Sequence, residues 1–147
     1  MSQAQGLPRY EVMQPRYNLY DRADFEAGLA GVAQEQDVGV VSYFSLASGF
    51  LTGKYQRAED LKGSARAGFM QGYFDVRGQK LLGVLRGVAA DVSATPAQVA
   101  LAWLMGRPGV TAPIASATSV AQLDELMGAA ALSLPASATA ALEAAGR

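Results

Sequence analysis

The sequence predicts an α/β fold built on a small parallel sheet. Three observations predict it. Short apolar, β-branched runs alternate with stretches of helical period, two capping signals open helices directly after turns, and half of the 147 residues are hydrophobic with 17% charged. Such alternation gives βα units whose strands lie parallel, and the composition supports a packed core in a chain of single-domain size.

In chain order, Glu11 to Gln14 follows the Gly6-Leu7-Pro8 break and reads as a short strand, and Tyr17 to Asp21 as loop. Ala23 to Gln36 spaces Phe25, Leu29, Val32 and Ala33 as one apolar stripe on an amphipathic helix. Val38 to Tyr43 is nearly all apolar, the pattern of a strand buried on both faces. Ser45 to about Asp75 is rich in Gly, Ser and charge and has no period; a structureless connection of that length is uncommon in a compact domain unless it is functional or mobile. Gly78 to Val92 is predicted helical, with Leu81, Leu82, Leu85, Val88 and Ala89 on one side. Thr95-Pro96-Ala97-Gln98 is a capping box opening a helix through Trp103 to Gly106, with Trp103, Leu101, Leu104 and Met105 expected in the core. Val110 to Ala115 is a further strand, Ser119-Val120-Ala121-Gln122 another capping box, and Pro135 to Ala145 a final helix. Three parallel strands leave both outer edges open, and a closed (β/α)8 barrel takes roughly 250 residues, so the chain is expected to hold part of a larger architecture.

Composition excludes several function classes. The formal charge is −1, which argues against a nucleic-acid partner, since phosphate recognition needs clustered Lys and Arg. There is neither Cys nor His, which removes disulfides, the usual transition-metal ligands and the common Ser/His and Cys/His nucleophile pairs. No apolar run is long enough to span a membrane, and Met1 to Tyr10 lacks the apolar core of a signal peptide, so a cytoplasmic location with no membrane partner is the default expectation.

Gly49 to Lys54 (GFLTGK) is similar to a phosphate-binding P-loop but fails it. Three residues separate the glycines where four are needed, and Tyr55 stands where a hydroxyl would hold magnesium. A Gly-rich turn after a strand still presents backbone N–H groups that could meet phosphate. Ala115 to Ser119, between a strand and a helix start, is a second anion candidate, although the Ser119/Gln122 capping box explains it without a ligand, at about 1 kcal/mol. The Gly83/Gly87 pair inside a helix would mark tight packing if anything.

Taken together, three segments resemble the aldo/keto reductases, in particular the branch related to potassium-channel β subunits. Gln14-Pro15-Arg16-Tyr17-Asn18-Leu19-Tyr20-Asp21-Arg22 resembles the end of that family's sixth barrel strand, Val40 to Tyr55 its seventh strand and cofactor-covering loop, and Pro113 to Glu125 its eighth strand and following helix. The resemblance covers nearly all 147 residues. It implies the C-terminal portion of a TIM (β/α)8 barrel, one partial domain over 1–147, and NADP(H) as cofactor.

By the same resemblance, Gln14 would support the nicotinamide amide and Tyr43 would stack on its ring. Phe44, Ser45, Leu46, Ser48 and Gly49 would line the pyrophosphate, with Lys54 and Arg66 as basic phosphate contacts. Ser116, Ala117 and Thr118 would hold the 2′-phosphate, with Gln122 and Glu125 beside the adenosine. Phe44, Ser45, Ser116 and Leu126 depart from the family's usual residues, and Leu126 removes an adenine contact. The family's catalytic Asp, Tyr, Lys and His belong to earlier strands, so no catalytic residue is assigned and the chain alone is expected to be inactive. The intact parent would reduce a small aldehyde or ketone. An alternative reading is a non-catalytic interaction or oligomerisation module derived from the same barrel, through self-association or pairing with the missing N-terminal half.

Overall fold

The computed structural model describes residues 2–64 and 66–147; Met1 of the N-terminal segment and Ala65, beside the expected contact Arg66, lie outside the described residues. A short helix α1 (Ser2–Gln5) precedes strand β1 (Val12–Met13), and helices α2 (Ala23–Ala27) and α3 (Leu29–Glu35) lead into β2 (Gly39–Ser42). After the long connection, with α4 (Ala67–Met70), come α5 (Val76–Asp91), α6 (Pro96–Met105), β3 (Val110–Pro113), α7 (Val120–Gly128) and α8 (Ala136–Ala145). The three strands form one parallel sheet in the order β1-β2-β3, as expected for βα units. Val12 pairs with Gly39 and Val40 with Val110; an irregularity then slips the register, so that Val41 faces Ala112 and Ser42 faces Pro113.

The helices cover one face of this sheet. Val40 and Ser42 point into that cover and are buried, while Gly39 and Val41 are half-buried. The expectation of a strand buried on both faces is therefore corrected: among the described residues only the Val40/Ser42 face is buried, and the other is half-buried. Leu81, Leu82 and Leu85 of α5, Val99 and Leu104 of α6 and Leu142 of α8 close the core around Trp103. The Trp103 ring meets Tyr17 at 5.8 Å, and the guanidiniums of Arg22 and Arg107 each lie 4.9 Å from it. Both cations have carboxylate partners, Glu26 at 2.8 Å from Arg22 and Glu143 beside Arg107. Among the described residues no single helix is long and apolar enough to cross a membrane.

Thr95 caps α6, accepting from the Gln98 N–H while Gln98 Oε1 accepts from the Thr95 N–H. Asp75 caps α5 with a one-way bond, its carboxylate accepting from the Gly78 N–H at 2.7 Å. Ser119 accepts from the Gln122 N–H, but Gln122 Oε1 takes the N–H of Thr118 and not that of Ser119, so this box closes one residue early.

Two further expectations fail. The single helix over Ala23 to Gln36 breaks at Gly28, where φ is −110° and ψ −84°. The break resets the helical phase: Phe25 and Ala33 stay buried while Leu29 and Val32 turn outward, 52% and 50% exposed. The connection from Ser45 is also not structureless. It holds 3-10 turns at Ala47–Thr52, Ala58–Leu61 and Gln71–Tyr73 as well as α4. An aromatic cluster fastens it at both ends: Phe50 stacks on Tyr73 at 5.2 Å, and Tyr20 meets both rings edge-on. Tyr73 Oη donates to Asp21 at 2.6 Å, and Tyr20 Oη donates to Asp75 at 2.8 Å.

Gly78 is fixed by this closure. A Cβ there would stand 1.7 Å from the Tyr73 carbonyl oxygen, whereas at Gly83 and Gly87 it would meet nothing within 4 Å, so that pair marks no helix contact. Gly78→Ala is expected to lower stability by about 1–3 kcal/mol or more, and Gly83→Ala to raise it by up to about 1 kcal/mol. Urea unfolding of the two variants checks this, and equal midpoints would contradict it. Burial, reinforced by the bond to Asp21, pushes the Tyr73 phenol up from 10.0 to about 12. The unfolded chain ionises first, so the native state binds more protons through that window and stability must fall as pH rises from 10 towards 12. Unfolding midpoints measured across alkaline pH should fall less steeply in Tyr73→Phe.

Candidate functional site

The cavity follows from how the chain leaves β2. Past Ser42 it turns through a run of left-handed residues, Phe44 (φ 56°), Ala47 (48°), Ser48 (59°) and Gly49 (107°). Non-glycine residues in this region cost about 1–3 kcal/mol each and persist only where their surroundings dictate them, which is why such runs gather at ligand sites. Here the buried Ser45 hydroxyl donates to the Ser42 carbonyl at 3.2 Å, and Phe50 and Leu51 behind the turn are wholly buried. The turn is held from beneath while its outer side stays open.

That open side bounds a cavity of about 860 Å³, within the roughly 300–1,000 Å³ of small-molecule sites. Tyr43, Phe44, Ser45, Leu46, Ser48 and Gly49 form one wall, Lys54 and Arg66 come from the connection, and Ser116, Thr118, Gln122 and Glu125 from the β3–α7 side. The structure thus brings together every residue singled out from the sequence except two. Gln14 is exposed at the end of the outer strand β1 and does not line the cavity, which is built over β2 and β3. Ala117 is half-buried in the β3–α7 turn, and its neighbours Ser116 and Thr118 reach the cavity in its place.

The chemistry of the walls is graded. At the end of β2 stand the rings of Tyr43 and Phe44, 5.3 Å apart and edge to face, with Phe69 at 6.3 Å from Phe44. Farther along lie two exposed cations: the Lys54 ammonium, 5.4 Å from the Tyr55 ring, and Arg66. The far wall is the N-terminus of α7, whose orphan N–H groups and dipole favour negative charge. Thr118 is already engaged there, since both its N–H and its hydroxyl donate to Gln122 Oε1, at 2.9 and 3.0 Å. The α7 wall is in turn tied to α6 by Gln98 Nε2, which donates to the Glu125 carbonyl at 2.9 Å. Among the described residues no group of His, Cys, Asp and Glu could hold a metal ion.

Sequence reasoning missed Thr52, Tyr55, Ser64, Phe69, Met70, Ala97 and Ile114 as lining residues. Most of them lie in the connection without a period, where no pattern in the chain reports which side chains turn inward. Leu126, noted as a departure, also lines the cavity.

The chain is 46% identical over 112 residues to an uncharacterized oxidoreductase of Mycobacterium tuberculosis, covering 74% of this chain and 33% of that protein. It is 30% identical over 125 residues to a probable voltage-gated potassium channel subunit beta of Arabidopsis thaliana, covering 80% and 38%. With the L-glyceraldehyde 3-phosphate reductase of Escherichia coli O157:H7 it shares 32% over 120 residues, covering 78% and 35%. The chain spans about a third of the length of these curated relatives. The family model of the aldo/keto reductases matches residues 1–147, and the chain belongs to the aldo/keto reductase family.

Proposed function

We propose that this chain is the dinucleotide-holding part of an NADP(H)-dependent aldo/keto reductase, folded as strands six to eight and the closing helices of a TIM-type barrel. The observation that carries the reading is the graded cavity at the end of β2: aromatic rings, then Lys54 and Arg66, then a helix N-terminus, in one space of about 860 Å³. An elongated dinucleotide needs those three environments in that order, and the family generally uses NADP(H). Tyr43 offers a flat face to the nicotinamide, and the left-handed turn through Ser48 and Gly49 brings backbone close to the pyrophosphate. Lys54 and Arg66 supply charge, and Ser116, at the α7 end, is the better placed 2′-phosphate ligand because Thr118 is engaged by Gln122. When bound, the reduced dinucleotide supplies the hydride for reduction of an aldehyde or ketone.

The general acid for such a reduction is expected from elsewhere in the intact protein. This chain has no His, and Tyr17, Tyr20 and Tyr73 are each hydrogen-bonded to a carboxylate, Glu26, Asp75 and Asp21 respectively. A second reading, an association module, is favoured by the unit's outer edges. Val12 on β1, Leu29 and Val32 on α3 and the stripe Val120, Leu123 and Met127 on α7 are all half or more exposed. Apolar stripes beside unpaired strand edges are surfaces that another βα unit would cover. The two readings are compatible, the first concerning the cavity and the second the flanks.

Fluorescence titration should show tighter binding of NADPH than NADH, with Lys54→Ala weakening NADPH by about 1 kcal/mol, roughly fivefold in Kd. Equal affinity for the two cofactors would remove the 2′-phosphate assignment. In an assay following NADPH consumption with aromatic aldehydes, the isolated chain should stay at background; steady turnover abolished by a single substitution in this chain would place the acid here after all. Light scattering over a range of concentrations should show self-association, and a monomer with a sharp cooperative unfolding transition would count against the association reading.

A further inference from the structure

We infer that Asn18 is the positioning residue that fixes the Tyr43–Phe44 turn and with it the orientation of the Tyr43 ring; only the identity of the ligand that meets this ring rests on the cofactor reading above. Asn18 is wholly buried, one of four buried polar or charged residues among those described, and two of the others, Ser42 and Ser45, belong to the same turn. A buried amide persists only if its hydrogen-bonding capacity is met. Asn18 meets all of it. Its Oδ1 accepts from the Tyr20 and Asp21 N–H groups, each at 2.8 Å, which sets the amide on its own loop. Its Nδ2 donates to Asp21 Oδ2 at 3.0 Å and, across to the cavity wall, to the Phe44 carbonyl at 2.9 Å.

That carbonyl sits where the turn is least free. Phe44 has φ 56°, a conformation that a phenylalanine seldom adopts unaided. The Ala47 N–H donates to the same oxygen at 2.7 Å, so the Phe44 carbonyl closes the turn on itself and receives the amide of Asn18 from outside. Just before it, the Tyr43 N–H donates to the Pro15 carbonyl at 3.0 Å, and the Tyr43 carbonyl accepts from Tyr17 at 3.4 Å. The peptide units on both sides of Tyr43 are thus held by one loop, residues 15–18, from which Asn18 contributes a side-chain hydrogen bond to the turn and Arg16 lies over the Phe44 ring at 5.5 Å. The Tyr43 ring, 37% exposed and in the cavity wall, inherits its direction from this frame.

Asn18→Asp in the full chain tests the assignment, because it keeps the shape and the acceptors for Tyr20 and Asp21 while removing the donor to the Phe44 carbonyl and to the Asp21 carboxylate. The ligand-independent measurement is amide hydrogen exchange. Exchange at Ala47, which shares the Phe44 carbonyl, should quicken at least tenfold while the amides of α6 keep their rates. The second measurement compares NADPH with 2′-phospho-ADP-ribose, which lacks the nicotinamide. NADPH should weaken about tenfold, and the nicotinamide-free probe should stay within twofold. Unchanged exchange at Ala47, or exchange quickened throughout the chain, overturns the assignment, as does equal weakening of both ligands. If the unaltered chain binds neither ligand, the cofactor reading fails while the exchange result still decides the role of Asn18. Should Asn18→Asp not fold, Asn18→Ser, uncharged and too short to reach the Phe44 carbonyl, carries the same two measurements.

Discussion

Everything in this fold depends on β2 having both of its edges paired. A parallel strand can satisfy its backbone only through neighbours, and β2 alone has one on each side, β1 through Val12 and Met13 and β3 through Val110 to Pro113. Val40 and Ser42 then have a fixed inward direction, and the helices collect against them. Open parallel sheets place their ligand crevices outside the carboxyl ends of the strands. In this chain the carboxyl end of β2 is where the left-handed turn begins and where the cavity opens.

The long connection after that turn is built of short helical turns, and side chains tie those turns to the rest of the fold. The rings of Phe50, Tyr73 and Tyr20 gather its first and last residues, and Asp21 and Asp75 receive the tyrosine hydroxyls at its far end. Arg86 of α5 secures the near end through the Gly53 carbonyl at 3.0 Å. Between the two anchors Leu61 and Met70 turn into the core, while Lys54, Ser64, Arg66 and Phe69 face the cavity. A segment held at its ends and pinned inward at two points can present its remaining side chains to a ligand.

How legible this was in the sequence depended on how local each cause is. The caps at Thr95 and Ser119 and the buried stripe of α5 act within one or two turns of chain, and they stand where the residues placed them. The break at Gly28 was missed because glycine is tolerated in many helices, and only the packing of Phe25 and Ala33 decides that the phase must reset there. The order in the connection was missed because its cause is contact between Phe50 and Tyr73, 23 positions apart in the sequence. The cavity wall from Tyr43 to Gly49 was read through family resemblance; nothing in its spacing alone would have announced positive φ at Phe44, Ala47 and Ser48. Asn18 carried no signal of its own, since an asparagine in a loop has many ordinary uses.

The amide of Gln98 joins two events that are usually separate. One end completes the cap of α6 and the other holds the Glu125 carbonyl of α7, and directly beneath it lies Gly128, where a Cβ would come within 2.4 Å of Nε2. Positions 98 and 128 are therefore not free to drift independently. A lineage that gained a side chain at 128 would have to shorten or redirect the residue at 98, and would lose with it the reciprocal half of the α6 cap. Among relatives a side chain at 128 should therefore be accompanied by a shorter or redirected residue at 98, and the pair forms a correlated constraint on sequence divergence.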